Sequence, residues 1–323
     1  MSLVVERLTV VLRRGPRAIP LIESVSLAVR AGEALSLVGE SGAGKSVLCR
    51  AIAGLLEPPA QVAAGRVLLN GNRIDNLDAR RMRAVWGREM SLLLQDPGAC
   101  LDPMATVGAQ IEETLVAHER QSRGAAAKAE AREWLSRVGL PDPEAQTRSY
   151  PHQLSGGMKQ RAALALALCS RPRVLLADEP TSALDSIARD RVVTLLRHLC
   201  AAQGTALLLV THDMHVARAA DRIAVLYAGR IVESGPAAAI LGAPAHPYTQ
   251  ALAECLPRVD LRRRRLPVID GAMPAPGDSP RTRGCVFAPR CRVVEERCTQ
   301  ESPMLVWRSE ADAECACWKT VGR

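Results

Sequence analysis

The chain's 323 residues are enough to bury a large core and carry a second, smaller region, and 48% hydrophobic with 24% charged residues is ordinary for a globular protein. The net charge of +8 comes mostly from scattered arginines, and aromatic residues are only 2%, with none before Trp86; with so little to stack on bases, nucleic-acid binding is not expected. The longest apolar runs, Val174–Ala177 and Ala206–Val210, are too short to cross a bilayer and no charged-then-apolar leader is present, so the expectation is a cytoplasmic protein that reaches a membrane only through partners.

Short runs rich in Val, Ile and Leu alternate with helical patterns, which predicts an α/β fold, a mainly parallel sheet covered by helices. Glu33–Val38 reads as a strand running into a glycine turn, and Lys45–Gly54 as the helix that follows. Between them Gly39-Glu40-Ser41-Gly42-Ala43-Gly44-Lys45-Ser46 fits the phosphate-binding pattern G-x-x-x-x-G-K-S. Glycines there let backbone N–H groups wrap an anion, helped by the positive end of the next helix. In this pattern Lys45 reaches the β- and γ-phosphates of a nucleotide and the Ser46 hydroxyl holds Mg²⁺. A glycine turn that fits by chance is the alternative, and the flanking strand and helix weigh against it.

From about residue 97 to 171 the sequence turns helical and alanine-rich, which predicts a helical subdomain inserted into the core. Val174–Ala177 then runs into Asp178 and Glu179. Adjacent strand residues point opposite ways, so the two acids can differ in role. Asp178 suits the second Mg²⁺ contact, through water, and Glu179 suits the general base that polarises attacking water. Ala206–Val210 is another strand buried on both faces. Ile223–Tyr227, Ala228-Gly229-Arg230 and Ile231–Glu233 read as a late hairpin. After about Leu241, prolines, arginines and cysteines mark a linker and a small C-terminal module. No tandem repeat is visible, so one nucleotide-binding unit is expected.

Leu154-Ser155-Gly156-Gly157-Met158-Lys159-Gln160-Arg161 resembles the signature motif of ABC ATPases, and it precedes the Asp178-Glu179 strand as it does in that family. Gln95 in Leu94-Gln95-Asp96-Pro97, Asp185 in Ser182-Ala183-Leu184-Asp185, and His212 in Thr211-His212-Asp213 agree in order. Alone, such a histidine is more often structural and such a glutamine carries no information; their order along the chain raises both. The resemblance covers about Met1 to Gly242. It implies a P-loop NTPase fold: a RecA-like, mainly parallel sheet plus an antiparallel β part, with the inserted helical subdomain. It also implies ATP and Mg²⁺ as cofactors. Ser155, Gly156 and Gly157 would open a second anion site at a helix start, meeting the γ-phosphate held by an opposite subunit. His212 would bond the γ-phosphate and help place the water. Gln95 would sense Mg²⁺ and γ-phosphate, and Asp185 counts among the nucleotide-contacting residues. Two departures stand out. Met158 replaces the commoner glutamine, and the N-terminal region lacks the aromatic residue that usually stacks on adenine in the family; Leu12 is expected in that place and should hold the base less well.

Leu101-Asp102-Pro103, Thr106-Val107-Gly108-Ala109-Gln110-Ile111 and Ala245-His246-Pro247-Tyr248-Thr249 are similar to the dipeptide and oligopeptide importer branch. By itself His246-Pro247-Tyr248 is only a proline-stiffened connection. The branch implies an ATPase domain over residues 1–242 and an importer-type extension over 243–323. It implies ATP hydrolysis powering import of di- or oligopeptides; the same motor driving nickel, glutathione or another small solute is the alternative. Its partners would be a second, paralogous ABC ATPase, two membrane permeases and, indirectly, a secreted or periplasmic solute-binding protein. The chain would sit peripherally on the cytoplasmic face of the inner membrane. An ABC ATPase of DNA repair or translation is disfavoured, because neither a long coiled coil nor a second ATPase unit is seen. Intact Lys45, Asp178, Glu179 and His212 disfavour a regulator without turnover.

Cys285, Cys291 and Cys298 are separated by five and six residues, and Cys315 and Cys317 follow. Structural zinc sites use tight Cys-x-x-Cys knuckles, absent here, and the wider spacing fits an iron–sulfur cluster. Some members of the resembling branch carry [4Fe–4S], which implies Cys285, Cys291, Cys298 and Cys317 as ligands with Cys315 spare. A reduced, unmetallated tail is the alternative. Because the ATP motifs all lie before Gly242, a cluster on these cysteines is expected to be structural or regulatory and not catalytic, so that Cys291→Ser leaves ATP binding largely intact. Arg262–Arg265 reads as a solvated linker, with contact to anionic lipid second.

Overall fold

The computed structural model describes residues 1–118, 120–182, 184–255, 268–277 and 283–320, so Ala183 and the run Arg262–Arg265 lie outside the described residues. Strands β1 (Leu3–Arg14) and β2 (Arg17–Val29) are long, while β3 (Ala34–Val38) is buried throughout and runs into helix α1 (Lys45–Ala53). Gly54 stops α1 in a left-handed cap with φ 68°, the conformation glycine adopts without strain. Next come β4 (Ala60–Leu69), β5 (Asn72–Arg73), α2 (Ala79–Val85) and β6 (Met90–Leu93). The helices α3 (Val107–Ala117), α4 (Ala125–Arg137), α5 (Pro143–Thr147) and α6 (Gly156–Cys169) separate β6 from β7 (Val174–Asp178). They are followed by α7 (Ser186–Gln203), β8 (Ala206–Thr211), α8 (Met214–Ala217), β9 (Arg222–Tyr227) and β10 (Arg230–Pro236). The chain closes with α9 (Ala237–Gly242), α10 (Pro247–Glu254), α11 (Glu296–Gln300), β11 (Val306–Arg308) and β12 (Ala313–Cys315).

These elements form two compact units. One comprises Met1–Leu3, Ala28–Ala34 and Leu68–Val210. In it β8, β7 and β6 lie side by side and parallel, in register at Leu208, Leu176 and Leu92. Every residue of β7 and β8 is buried, which is why both read as unbroken apolar runs rather than alternating ones. Helices α3, α4 and α6 pack on one another and bury Ile111, Leu115, Trp134, Leu135 and Leu164. This is the helical insertion that the alanine-rich stretch predicts.

The other unit comprises Val4–Leu27, Leu35–Val67 and Thr211–Arg323. There β3 pairs in parallel with β9 (Leu37 opposite Ala224), and β9 turns back into β10. The turn residues Ala228 and Gly229 both have positive φ, 47° and 81°, as a tight hairpin of this twist requires. β12 pairs antiparallel with β10 (Glu233 opposite Cys315), and β11 with β12. The C-terminal segment therefore extends this unit's own sheet. It also shares a core: Tyr227, Tyr248 and Phe287 meet with ring centroids 4.5, 5.2 and 5.4 Å apart, packed with Val225, Val232, Ile240 and Val286. So short a segment buries too little to hold itself together, and it borrows the core of β9 and β10. Among the described residues no helix is long and apolar enough to cross a membrane.

Candidate nucleotide-binding site

The phosphate loop leaves β3 at Gly39, where backbone passes so close that an added Cβ would stand 2.2 Å from the Leu226 carbonyl oxygen. Gly44 caps α1 with φ 105°, and the hairpin turn supports the loop, the Gly229 N–H donating to the Ala43 carbonyl at 2.8 Å. Lys45 is the first residue of α1 and only 5% exposed. Its Nζ donates to the Gly39 and Glu40 carbonyls at 2.7 and 3.1 Å, which holds the ammonium within the loop. Ser46 follows on the same first turn. Loop N–H groups, a helix N-terminus, one ammonium and one hydroxyl make a donor set suited to a polyphosphate, and hydroxyl and carboxylate oxygens suit a hard cation such as Mg²⁺. Residues Glu40, Ser41, Gly42 and Ala43 complete the loop between Gly39 and Gly44.

Glu40 has two partners that no local pattern announces. Its N–H donates to the Tyr248 hydroxyl at 2.9 Å, and Arg290 grips its carboxylate through both guanidinium arms at 2.7 and 3.1 Å. Tyr248 belongs to the His246-Pro247-Tyr248 connection, whose proline and importer-branch resemblance point to no bond with the loop. Arg290 had no signal at all.

In the other unit Asp178 ends β7, 7% exposed, in register with Val210. Glu179 takes φ 48° while its N–H donates to the Val210 carbonyl at 2.9 Å. A left-handed conformation is uncommon for a non-glycine residue, and such strain gathers at functional positions. Gln95 is exposed just beyond β6. Ser155 caps α6, its hydroxyl accepting the Met158 N–H at 3.3 Å. An added Cβ at Gly156 or Gly157 would meet nothing within 4 Å, so the space before this helix start is open. Asp185 is exposed and caps α7, accepting the Ile187 and Ala188 N–H groups at 3.0 and 2.9 Å. In the unit with the loop, His212 is exposed directly after β8, and Leu12 is half-buried on β1.

The cysteines give a mixed answer. Burial pushes Cys285 up to about 11, and Cys298, Cys291 and Cys317 are near enough to push it in the same direction. Burial also raises Cys291 and Cys317, and each of these feels Cys298. Burial raises Cys315 to about 12, Cys317 pushes it in the same direction, and its Sγ accepts from the Thr320 hydroxyl at 3.4 Å. The four expected thiols are thus neighbours, and Cys315 lies near one of them, Cys317. Yet among the described residues no group of three or more His, Cys, Asp or Glu side chains is placed to hold a metal ion. Cys298 is buried and Cys285, Cys291 and Cys317 are half-buried.

Comparison with known proteins bears on the whole chain. Residues 22–182 match the ABC transporter family, and residues 232–298 match the oligopeptide/dipeptide transporter C-terminal region. The dipeptide transport ATP-binding protein DppD of Escherichia coli (strain K12) is 42% identical over 88% of this chain and 86% of its own length. The protein of the same name from Bacillus subtilis (strain 168) is 40% identical over 92% and 88%. A putative peptide import ATP-binding protein of Brucella abortus (strain 2308) is 39% identical over 98% and 97%. Among solved structures, a dimeric ATP-binding cassette in a post-hydrolysis state bound to ADP and Pi superposes with TM-score 0.63 at 29% identity, covering 73% of this chain and 98% of that one.

Proposed function

The chain belongs to the ABC transporter family, in the branch that carries the oligopeptide/dipeptide transporter C-terminal region, and from that premise we propose that it is the ATP-hydrolysing subunit of a peptide importer. The observation that carries this reading is the phosphate loop at the start of α1, with Lys45 buried inside it, in a chain whose relatives are named for dipeptide transport. The same names favour peptide over nickel, glutathione or another small solute.

The residues divide the work as follows. Loop N–H groups from Gly39 to Ser46 and the Lys45 ammonium bind the phosphates. The Ser46 hydroxyl, the Asp178 carboxylate and Gln95 hold Mg²⁺, which when bound neutralises charge on the phosphate oxygens. Glu179 takes a proton from the attacking water, and His212 orients the γ-phosphate. The helix start at Ser155, Gly156 and Gly157 serves ATP held by a second ATPase subunit, and Asp185 contributes to nucleotide binding. Two permeases and a solute-binding protein complete the machine, with this subunit peripheral on the inner face of the membrane and the second ATPase a paralogue.

Glu179→Gln tests the assignment. In the assembled transporter it should retain ATP binding and lose turnover by about a hundredfold or more. Near-normal hydrolysis would remove Glu179 from the role of base.

We retain a [4Fe–4S] centre on Cys285, Cys291, Cys298 and Cys317 as a proposal supported by the mutual proximity of these thiols, which would have to deprotonate and draw together on loading. Its role would be to order the C-terminal segment. Anaerobically purified protein should be brown and carry about four iron atoms per chain. Colourless protein with stoichiometric zinc would contradict the cluster, and Cys317→Ser protein that kept its iron would transfer the fourth ligand to Cys315.

A further inference from the structure

Glu40 is the second residue of the phosphate loop and the loop's one carboxylate. Both its backbone and its side chain are held from the C-terminal third of the chain. The Tyr248 hydroxyl takes its N–H at 2.9 Å, and Arg290 Nη1 and Nη2 donate to its carboxylate oxygens at 2.7 and 3.1 Å. Arg290 is itself enclosed, its side chain only 4% exposed. Its Nε donates to the Asp270 carbonyl at 2.9 Å, Nη2 to the Ile269 carbonyl at 3.1 Å, and its head lies 5.8 Å from the Tyr227 ring centroid. A planar guanidinium held on one side by backbone carbonyls and on the other by a carboxylate has no freedom to swivel. The same segment meets the loop again, with Met273 Cε 3.9 Å from where a Cβ on Gly42 would lie.

A loop that must accept a polyanion is poorly served by a free carboxylate, which would repel the phosphates. The Glu40 carbonyl also receives Lys45 Nζ, so the position of this residue sets the position of the loop's cation. Arg290 answers both needs. It cancels the charge and fixes the side chain. We propose that Arg290 is a positioning residue for ATP binding: by clamping Glu40 it shapes and neutralises the phosphate loop, and it couples nucleotide affinity to order in the Cys285–Cys291 segment that carries it. The proposal rests on ATP being the ligand of this loop. Coupling between sites is reciprocal, so ATP must also order that segment.

The test uses the full chain, titrated with a fluorescent ATP analogue and Mg²⁺ at fixed ionic strength, with amide exchange followed over residues 284–291. Arg290→Ala should weaken binding about tenfold, within the usual range of such couplings. Adding Glu40→Gln to Arg290→Ala should restore affinity by about threefold or more, because the repelling charge is gone. Arg290→Lys, which keeps the charge and loses the fork, should fall between wild type and Arg290→Ala. Nucleotide should slow exchange over residues 284–291 in wild type and not in Arg290→Ala. A merely structural role for Arg290 predicts no rescue by Glu40→Gln. Folded Arg290→Ala protein with wild-type affinity, or a double variant weaker than Arg290→Ala, overturns the proposal while leaving the loop's assignment intact. A wild-type chain that bound no Mg-ATP would remove that assignment and this proposal with it. Should Arg290→Ala fail to fold, Arg290→Lys and Glu40→Gln carry the test: nucleotide-dependent protection of residues 284–291 as strong in both as in wild type would overturn the coupling.

Discussion

A methyl group added at Gly39 would stand 2.2 Å from the Leu226 carbonyl, a backbone atom with no room to retreat, whereas one added at Gly156 meets nothing within 4 Å. The two glycines therefore answer to different demands. Gly39→Ala should lower stability by about 1–3 kcal/mol through overpacking, and it should abolish nucleotide binding by displacing the loop. Gly156→Ala should leave stability within about 1 kcal/mol of wild type, and any loss of function there would come from what approaches the helix. Thermal unfolding and ATP titration of the two variants check this, and equal destabilisation would contradict it. At this scale the phosphate loop was legible because its demands are local: glycines, one lysine and one serine at fixed spacing. The partners of Glu40 were not. Tyr248 and Arg290 lie 208 and 250 residues downstream, and neither an isolated arginine nor a tyrosine after a proline announces a bond across such a distance. That ion pair joins the cysteine segment to the phosphate loop, so the coupling proposed above stands against the expectation that ATP binding is largely independent of that segment.

The helix α10 begins on His246, whose Nδ1 accepts the Tyr248 N–H at 3.1 Å, while the Glu233 carboxylate accepts the N–H groups of Ala245 and His246 at 2.7 and 3.0 Å. Burial lowers His246 to about 3. The unfolded chain takes up that proton near pH 6.5, so the folded state loses stability as pH falls from about 6.5 toward 3. Burial raises Glu233, which works in the opposite sense, favouring the folded state as pH falls through its own titration. His246→Asn keeps a capping oxygen and removes the proton site. Its melting temperature should drop less between pH 7 and pH 5 than that of wild type, and parallel profiles would show that His246 titrates as it does when unfolded. At the start of α6, Ser155→Ala should cost about 0.5–1 kcal/mol, the loss of one cap bond. Ser155→Arg should spare ATP binding to the isolated chain and block pairing with a second ATPase, and folded Ser155→Arg protein that no longer bound ATP would contradict the cross-subunit role. Among the elements, β7 and β8 were legible because strands buried on both faces are continuously apolar. The three-residue strands β11 and β12 were not, since so short a run is defined by its pairing, β12 with β10 and β11 with β12, and not by any period of its own.

Of the residues proposed for ATP chemistry, the phosphate loop and His212 belong to one compact unit, and Asp178, Glu179 and the Ser155 helix start to the other. The account stands on ATP turnover being coupled to movement of peptide. Coupling is a property of the whole transporter and is read most directly in liposomes that hold this chain with the proposed second ATPase and two permeases, supplied with the peptide-loaded binding protein. ATP-dependent uptake of a labelled dipeptide is the measurement. The account predicts uptake and hydrolysis that rise together with the loaded binding protein and vanish together in Lys45→Ala. Hydrolysis indifferent to peptide, in liposomes that take up nickel or glutathione and no dipeptide, would contradict it.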